Sequence, residues 1–400
     1  MAGLDERRAA AAERFASTAL PTTDSELWRY SRIAELDPSS LTPAADAGPI
    51  DVPAALADAV GATAATVVVR NGYVVATTVT DDRVTVEPAT ADALQLAATD
   101  AFGHWHDANA PAPTVIRIRK GAVVDLPVLV VHVTDADGSA TFPHLVVDAG
   151  EDSEAVVIEH STSADGMHAV VVPVTELVAR DAARLRYLHA QLLGDATWQL
   201  GRQLSRVSRD ASLSTAAIAL GGDYARLRIE SSMDGKGAHG EMLAVYFGEQ
   251  RQMHDLRTTQ HHVAPNTTSN LMFKGAVEGH AHAVYTGLIR IGKQASGVSA
   301  FQTNRNIKLS DGAWAESIPN LEIENNDVRC SHASAVGPVD EDQRFYLESR
   351  GVRPEVAERL IVMGFFEEVL EKVPVAGLQA LLREEIGAKL ERREAEIADD

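Results

Sequence analysis

Cys330 and His332 stand two residues apart in the segment NNDVRCSHASAVG. On a β-strand this spacing places both side chains on one face, because side chains alternate with a period of two. Thiolate and imidazole suit iron or zinc, but a zinc or iron–sulfur site normally takes about four protein ligands. Cys330 is the only cysteine of the chain. If the pair binds metal, it is half of a site, and another chain supplies the other half.

An acidic patch precedes this pair. Glu322, Glu324 and Asp327 lie within nine residues of Cys330, and two carboxyl groups can serve glycosidic or uronate chemistry on a β-solenoid. A solvated strand face is the commoner explanation, with Leu321 and its alternate neighbours pointing inward. Aromatic residues form only 5% of the chain, which is few for a carbohydrate enzyme. We therefore expect no carbohydrate activity.

A segment that begins at Gly287 and ends at Gln294 is the nearest approach to a phosphate-binding loop. It fits G-x-x-x-x-G-K, but Gln294 stands where a Mg²⁺-binding Ser or Thr belongs. Its middle is β-branched, so we interpret it as the end of a strand. The chain is not expected to hydrolyse nucleotides.

Three closely spaced histidine pairs have no cysteine near them. Without a thiol neighbour and with turn-like or polar flanks, they are predicted to be exposed surface residues. The pairs are His104/His106, His261/His262 and His280/His282.

Composition limits the kind of protein. The 400 residues are 45% hydrophobic and 23% charged, with a formal net charge of −21. Such a chain holds two or three domains or one elongated repeat-like body. The negative charge argues against a broad nucleic-acid surface or an anionic membrane partner. A lone cysteine excludes an intrachain disulfide, and no apolar run approaches the roughly 20 residues of a membrane span. We expect a cytoplasmic protein with no signal peptide.

The first hundred residues predict helices and one hairpin. A helix is expected from residue 5 to about 18, and Thr23 with Glu26 suggests a capping box before a second, short helix. The Asn71-Gly72 dipeptide lies between two β-branched runs and predicts a β-hairpin. A further helix is expected over Ala91–Ala101.

Short strand-like runs fill the middle of the chain. They recur from Thr114 to about residue 335, with one expected helical excursion over Glu176–Ala182. A sandwich, a barrel and a β-solenoid all fit this pattern, and strict sequence repeats that would favour a solenoid are absent. Periodicity alone predicts a large all-β body.

The C-terminus returns to helix. Apolar residues recur at steps of three and four after Pro354, Val373-Pro374 marks a break, and a second helix is expected from about Gly377. The apolar face of this pair must be covered by the β body, by the other helix or by a partner.

The long segment from about Asn266 to Val369 resembles the shared core of the SufB/SufD family of iron–sulfur cluster assembly proteins. The matching run is GLIRIGKQASGVSAFQTNRNIKLSDGAWAESIPNLEIENNDVRCSHASAVGPVDEDQRFYLESRGV, followed by GFFEEVLEKV. LPTTDSELWRY near the N-terminus is also similar to the family. Within it the chain is most similar to SufD, since it is short and lacks the additional cysteines of SufB. Ala333-Ser334 departs from the Gly-Ala that the family often carries.

The resemblance implies a mainly β fold, with a right-handed parallel β-helix core between an N-terminal α/β region and a C-terminal helical region. The expected boundaries are a mostly helical region over 1–110, the β-helix over 111–337 and an ATPase-docking helical domain over 338–400. Pairing with a SufB-like paralogue and docking of a SufC-like ABC-type ATPase are implied, and a homodimer is possible in isolation.

The same resemblance implies site residues. His332, and beside it Cys330, are candidate ligands to a nascent iron–sulfur cluster shared with SufB, while Met363, Phe366 and Leu370 are candidate ATPase-docking residues. FAD is a possible cofactor of the assembled complex. The protein itself is expected to be a non-catalytic scaffold subunit. The alternatives are a purely structural subunit with no metal ligand or, least favoured, the carbohydrate enzyme that would use Glu322 or Glu324.

Overall fold

The computed structural model describes residues 2–90, 94 and 98–399. Six helices lie at its two ends: α1 Ala2–Ser17, α2 Ala54–Val60, α3 Ala101–Asn109, α4 Glu341–Ser349, α5 Pro354–Leu370 and α6 Ala376–Asp399. The strands are β1 Thr42–Pro43, β2 Ala65–Arg70, β3 Tyr73–Val79, β4 Val84–Pro88, β5 Thr114–Ile118, β6 Val128–Thr134, β7 Ser139–Thr141, β8 His144–Ala149, β9 Glu154–Ser163, β10 Ala169–Val171, β11 Val174–Ala179, β12 Arg184–Leu192, β13 Trp198–Val207, β14 Ser212–Ala219, β15 Tyr224–Met233, β16 His239–Gly248, β17 Met253–His262, β18 Thr268–Val277, β19 His282–Ile291, β20 Val298–Lys308, β21 Trp314–Ile323 and β22 Val328–Pro338.

The strands form two long sheets, and from β11 onward successive strands alternate between them. Sheet I runs in the order β21-β19-β17-β15-β13-β11-β8-β5-β4, and sheet II in the order β22-β20-β18-β16-β14-β12-β9-β6-β2-β3. Neighbours pair in parallel, as where Trp198 is in register with Tyr224 and Tyr224 with Met253. The chain therefore coils, and each turn adds one strand to each sheet. This is a parallel β-helix, which confirms the predicted fold class.

The interior of the coil combines aliphatic and polar side chains. In the first turns Val67, Ile116 and Val157 are all 0% exposed, and on the same inward rows the buried Glu159 accepts a hydrogen bond from the Tyr187 hydroxyl. In the later turns the Tyr246 hydroxyl donates to Asn306 Oδ1 at 2.6 Å and accepts from Asn304 Nδ2 at 2.8 Å. Buried polar groups are tolerated when they are hydrogen-bonded to one another.

The N-terminal region covers the outer face of sheet I. Phe15 of α1 stacks on Trp105 of α3 at 5.8 Å between ring centroids, and both helices pack beside a turn of 3₁₀ helix over Glu26–Trp28. Arg226 of β15 donates to the Leu27 carbonyl at 2.7 Å. These contacts hold the turn against the sheet.

The C-terminal helices cover the outer face of sheet II. Phe366 and Leu370 of α5 and Leu382 of α6 are 0% exposed and pack with aliphatic residues of the sheet. Lys274 of β18 is buried under α5, where it donates to the Phe365 carbonyl at 2.8 Å and pairs with Glu368. The β body therefore covers the apolar stripe that the sequence left without an assigned partner.

Several local predictions are confirmed. Strands β2 and β3 form the predicted antiparallel hairpin, and its turn residues Asn71 and Gly72 both have positive φ, 53° and 91°, as an Asn-Gly turn of this type requires. The helix break before α6 lies where Val373-Pro374 predicts it. Gly287 lies inside β19 and no helix follows, so the strand interpretation of the glycine-rich segment is also confirmed.

Other local predictions are wrong. Residues expected to be helical from Glu176 form β11, because their backbone pairs in register with β8 and β13. Ser25, not Thr23, precedes the Glu26–Trp28 turn and makes no side-chain capping bond. Helix α4 was not predicted. The helix expected over Ala91–Ala101 falls largely outside the described residues.

Among the helices in the described part of the chain, none is both long and apolar enough to cross a bilayer.

Candidate functional site at the open end of the β-helix

The last turn of the coil ends in two strands whose outer edges are open. Within the described residues β21 pairs only with β19, and β22 pairs only with β20. These strands span 10 and 11 residues. Long edge strands present unpaired N–H and C=O groups that can accept another strand.

Cys330 and His332 both lie on β22. They are in register with Ala300 and Gln302 of β20, which are 0% and 1% exposed inside the coil. Because parallel strands in register carry side chains on the same face, the pair belongs to the inward row of the last turn. The predicted sharing of one strand face is confirmed.

The two side chains differ in their surroundings. Cys330 is half-buried and packs against the aliphatic group of Ile289, Ile291 and Val298, and this burial raises the pKa of its thiol above the ordinary value. His332 is exposed. The imidazole is therefore the more accessible ligand, and the thiol needs a metal or a neighbouring cation before it ionises at neutral pH.

A buried amide lies one rung beneath His332. Gln302 is 1% exposed, and neither its amide nitrogen nor its amide oxygen has a hydrogen-bond partner among the described residues. It sits against Gly287, where a Cβ would come within 2.5 Å of the Gln302 Oε1 atom. The sequence indicated no role for Gln302, because its orphaned amide becomes evident only when strands are in register.

The inward row also exposes apolar side chains. Leu321 and Ile323 of β21 and Val336 of β22 are 39%, 43% and 41% exposed. Their counterparts one turn deeper, Ile289 and Ile291, are 0% exposed. The inward row of the last turn thus leaves apolar core residues exposed to solvent, as expected of a face that another chain covers.

The acidic patch does not form a catalytic carboxyl pair. Glu322 faces outward in register with Arg290, and the two form an ion pair at 3.2 Å. Asp327 accepts from the Gly297 backbone N–H through its carbonyl at 2.8 Å and its carboxylate at 3.1 Å. Glu324 is exposed in the loop after β21. These roles give no support to the carbohydrate-enzyme alternative.

The histidine prediction is wrong for three of the six residues, since His104, His106 and His262 are buried. His106 has one ring nitrogen 2.8 Å from the Val172 carbonyl and the other 3.2 Å from His144, and burial holds its pKa well below the ordinary value. The residues that bury these histidines are distant in sequence, so the segment around each histidine could not reveal its burial. His261 is half-buried, and His280 and His282 are exposed as expected.

The docking candidates on α5 are not surface residues. Phe366 and Leu370 are 0% exposed beneath the helix, so neither can contact a partner in this conformation, and Met363 is half-buried. The exposed apolar residues nearby are Leu360, at 50%, and Tyr346, at 57%. They line a groove of about 1050 Å³ between α4, α5 and the ends of β20 and β22.

Within the described residues no three side chains among His, Cys, Asp and Glu are grouped so as to hold a metal ion. The open end offers one imidazole, one thiol and one buried amide. Such a set can share a metal or sulfide with a second chain placed over it, but it does not enclose one by itself.

Comparisons with known proteins identify the family of this chain. Residues 132–365 match the family model of the SUF system FeS cluster assembly SufBD core domain. An iron–sulfur cluster assembly SufBD family protein of Mycobacterium bovis is 36% identical over 310 residues, covering 74% of this chain and 75% of that protein. Iron–sulfur cluster assembly protein SufD of Escherichia coli is 28% identical over 305 residues, which cover 75% of this chain and 71% of that protein. The protein of the same name from Bacillus subtilis is 27% identical over 279 residues, which cover 69% of this chain and 64% of that protein. The chain belongs to the SufB/SufD family of iron–sulfur cluster assembly proteins.

Proposed function

We propose that this chain is the SufD-like subunit of a SufBCD scaffold that builds and transfers nascent iron–sulfur clusters. The observation that carries the proposal is the open end of the β-helix, where two unpaired strands present Cys330 and His332 in the row that continues the core. A self-contained protein would leave neither the apolar row nor the strand edges uncovered.

The SufB-like paralogue would add its own strands to β21 and β22 and cover Leu321 and Ile323. The nascent cluster is then cargo held at the seam, with His332 as one ligand and thiolates of the paralogue as others. Since a thiol must lose its proton to bind iron, Cys330 joins only when the metal displaces that proton.

A SufC-like ABC-type ATPase would dock on the exposed surface of α4 and α5. Leu360 and Met363 offer apolar contacts beside the groove, and a helix or loop lying in an apolar groove is a common recognition mode. Phe366 and Leu370 would act from beneath, by fixing α5 on sheet II. ATP turnover could then shift α5 against Lys274 and alter the neighbouring open end.

Four further expectations belong to the same proposal. The subunit has no catalytic residues of its own and works in the cytoplasm, in keeping with its single cysteine. FAD in the assembled complex stays a prediction to which no residue of this chain is assigned. In the absence of a paralogue, the open end would pair with a second copy of the chain.

The test is cluster formation by the reconstituted complex carrying His332→Ala. We expect the complex to assemble at its normal stoichiometry while bound iron falls by about tenfold or more. Changing even a residue that only supports a metal ligand typically lowers metal affinity by about 10- to 100-fold, and His332 is proposed as a ligand itself. Iron and sulfide per complex are measured after anaerobic reconstitution.

The matched control is Ser334→Ala, two residues further along the same inward row. It removes a hydroxyl but no expected ligand, so iron content should be unchanged. If His332→Ala and Cys330→Ala together leave iron at the level of the control, the purely structural alternative is correct and the ligand role is wrong.

A further inference from the structure

A cavity of about 370 Å³ lies outside sheet I. Its walls are the Glu26–Trp28 turn, the start of α3 and outward side chains of sheet I, mainly from β13, β15, β17 and β19. Asn320 of β21 lines its far end, and no residue of the α4–α5 groove lines it. Its volume falls in the range of sites that hold small molecules.

The floor of the cavity is a ladder of arginines. Arg202, Arg228 and Arg257 occupy one register position on three neighbouring strands, so they stand about 4.8 Å apart along the sheet. Arg226, on β15 with Arg228, lines the same cavity. Like charges on neighbouring strands are destabilising, and the chain as a whole carries a formal charge of −21, so this cluster is a local exception.

Two carboxylates of the sheet pair with these guanidinium groups. Glu230 accepts from both Arg202 and Arg228 at 2.9 Å, and the buried Asp255 pairs with Arg226 and Arg257. Two carboxylates are thus each shared by two arginines.

Three further carboxylates face the cavity. Asp100 lies 3.9 Å from Arg228 and caps α3 by accepting from the Gly103 N–H. Asp107 is paired with Arg7 at 2.9 Å, and Glu26 is exposed at the rim.

Arg257 has a donor group to spare. Its Nε atom donates to Asp255 at 2.8 Å and one terminal nitrogen donates to the Arg29 carbonyl at 3.1 Å, while Nη1 has no partner among the described residues. Arg257 is only 7% exposed. A guanidinium group held this rigidly in a largely dry wall is a preorganised anion donor.

The opposite wall is apolar. Phe102 and Leu200 are 5% and 6% exposed and face the cavity, and Leu27 stands at its mouth with 56% of its surface exposed. An exposed leucine over an arginine floor suits a ligand with two chemically different ends.

We propose that this cavity binds a small organic anion with an apolar body, its carboxylate, sulfonate or phosphate group on Arg228 and Arg257 and its body against Leu27, Phe102 and Leu200. The anion supplies an acceptor for Arg257 Nη1. The apolar body covers Leu27, which otherwise faces water.

Anilinonaphthalene sulfonate tests the proposal, because it joins a sulfonate to an aromatic body and fluoresces in apolar surroundings. Titrated into the full chain, it should bind Arg228→Gln about tenfold more weakly than the wild type, which corresponds to one charge-assisted hydrogen bond. Arg228 is a third exposed, so this variant should fold. Arg206→Gln, on β13 outside the cavity, is the matched control and should bind within about twofold of the wild type.

Leu27→Ser separates an amphipathic site from a simple anion site, since it alters only the exposed mouth. We expect it to weaken the probe by about threefold or more, and inorganic phosphate at the same concentration should not displace the probe. Equal affinities for Arg228→Gln and Arg206→Gln would overturn the proposal. So would full displacement by phosphate together with an unchanged Leu27→Ser affinity, which would indicate an adventitious ion only.

Discussion

The two ends of the β-helix are built differently. At the first end the sheets stop in antiparallel strands: β3 turns back on β2, with an irregular register between Val68 and Val69, and β4 pairs antiparallel with β5. At the last end β21 and β22 continue the parallel pairing without reversal. Reversed, irregular strands discourage the addition of another strand, whereas long regular edges favour it.

The cores behind these ends differ in the same sense. The first turns contain aliphatic residues that are almost wholly buried, while the last turn leaves Leu321, Ile323 and Val336 about two-fifths exposed. The first end of the coil therefore has a buried core, whereas the last end leaves part of its inward row exposed to solvent. The strand that carries Cys330 and His332 lies at this uncovered end.

The largest expected effect is on association. Leu321→Lys places a charge in the row that we propose a SufB-like paralogue or a second copy covers, and a buried unpaired charge costs about 4 kcal/mol, so the dissociation constant should rise by about 1,000-fold. Sedimentation velocity with the paralogue, and with the chain alone, measures it.

The matched control for that variant is Val79→Lys at the first end of the coil. Val79 is 44% exposed at the end of β3, so the change is chemically similar. It should leave association within about twofold of the wild type. Comparable losses for the two variants would show that the two ends do not differ as partner surfaces.

The next effect is on the free energy of unfolding, and it should be large at the first end of the coil and small at the last end. Ile116→Ala, in the aliphatic core at 0% exposure, should lower the free energy of unfolding by about 3 kcal/mol because it leaves a cavity. Ile323→Ala, at 43% exposure, should change it by less than about 0.5 kcal/mol. Urea unfolding of the isolated chain distinguishes them, and similar losses would contradict a filled first end and an unfilled last end.

A smaller effect depends on pH and reports on a histidine buried inside the coil. His262 is 0% exposed and bonded to Thr267 and Ser269, and burial lowers its pKa to about 4. The unfolded chain protonates this histidine below about pH 6.5 while the folded chain does not, so its contribution to stability is full at pH 7 and is lost as the pH falls. At pH 5 the loss is about 2 kcal/mol.

His262→Gln removes that contribution and should flatten the fall in melting temperature between pH 7 and 5. Because the histidines of the unfolded chain all take up protons in this interval, the quantity to compare is the difference between wild type and variant. An unchanged pH slope would mean that His262 is protonated in the folded protein.

The smallest effect concerns the reactivity of Cys330. Burial raises the pKa of its thiol, so less thiolate is present at pH 8 and alkylation by iodoacetamide should be about threefold slower, or slower still, than in the urea-unfolded chain. The single cysteine makes the rate unambiguous. A faster rate in the folded chain would mean that the open end activates the thiol by itself.

Much of the fold could be predicted locally. The Asn71-Gly72 turn and the break at Val373-Pro374 depend on backbone preferences that a short window reveals, and both lie where they were expected. Strand β11 was mistaken for helix because its run carries Glu176, which bonds to His144 across the sheet at 3.2 Å. When a charged residue is paired with a partner distant in sequence, its neighbouring residues alone suggest that it lies on the surface.

Half of the candidate site was also predictable. The spacing of Cys330 and His332 indicated a shared strand face and an incomplete ligand set, and the alternation of Leu321 and Ile323 indicated an inward row. Gln302 could not be found, because its orphaned amide becomes evident only through its register with His332. The burial of Phe366 and Leu370 likewise follows from which sheet α5 packs against.

By itself the sequence determined the local features of this protein: strands whose side chains alternate with a period of two, turns at glycine and asparagine, an apolar stripe on the C-terminal helices and the Cys-x-His pair. Those features depend on neighbours within a few residues, where steric preference and side-chain alternation act. Only the tertiary structure decided that one end of the coil is closed and the other open, and that Arg226, on the outward row of β15, is buried under the N-terminal turn. The physical reason is that burial and charge depend on what packs opposite a residue, and in a coil of about 30 residues per turn that neighbour is always distant in sequence.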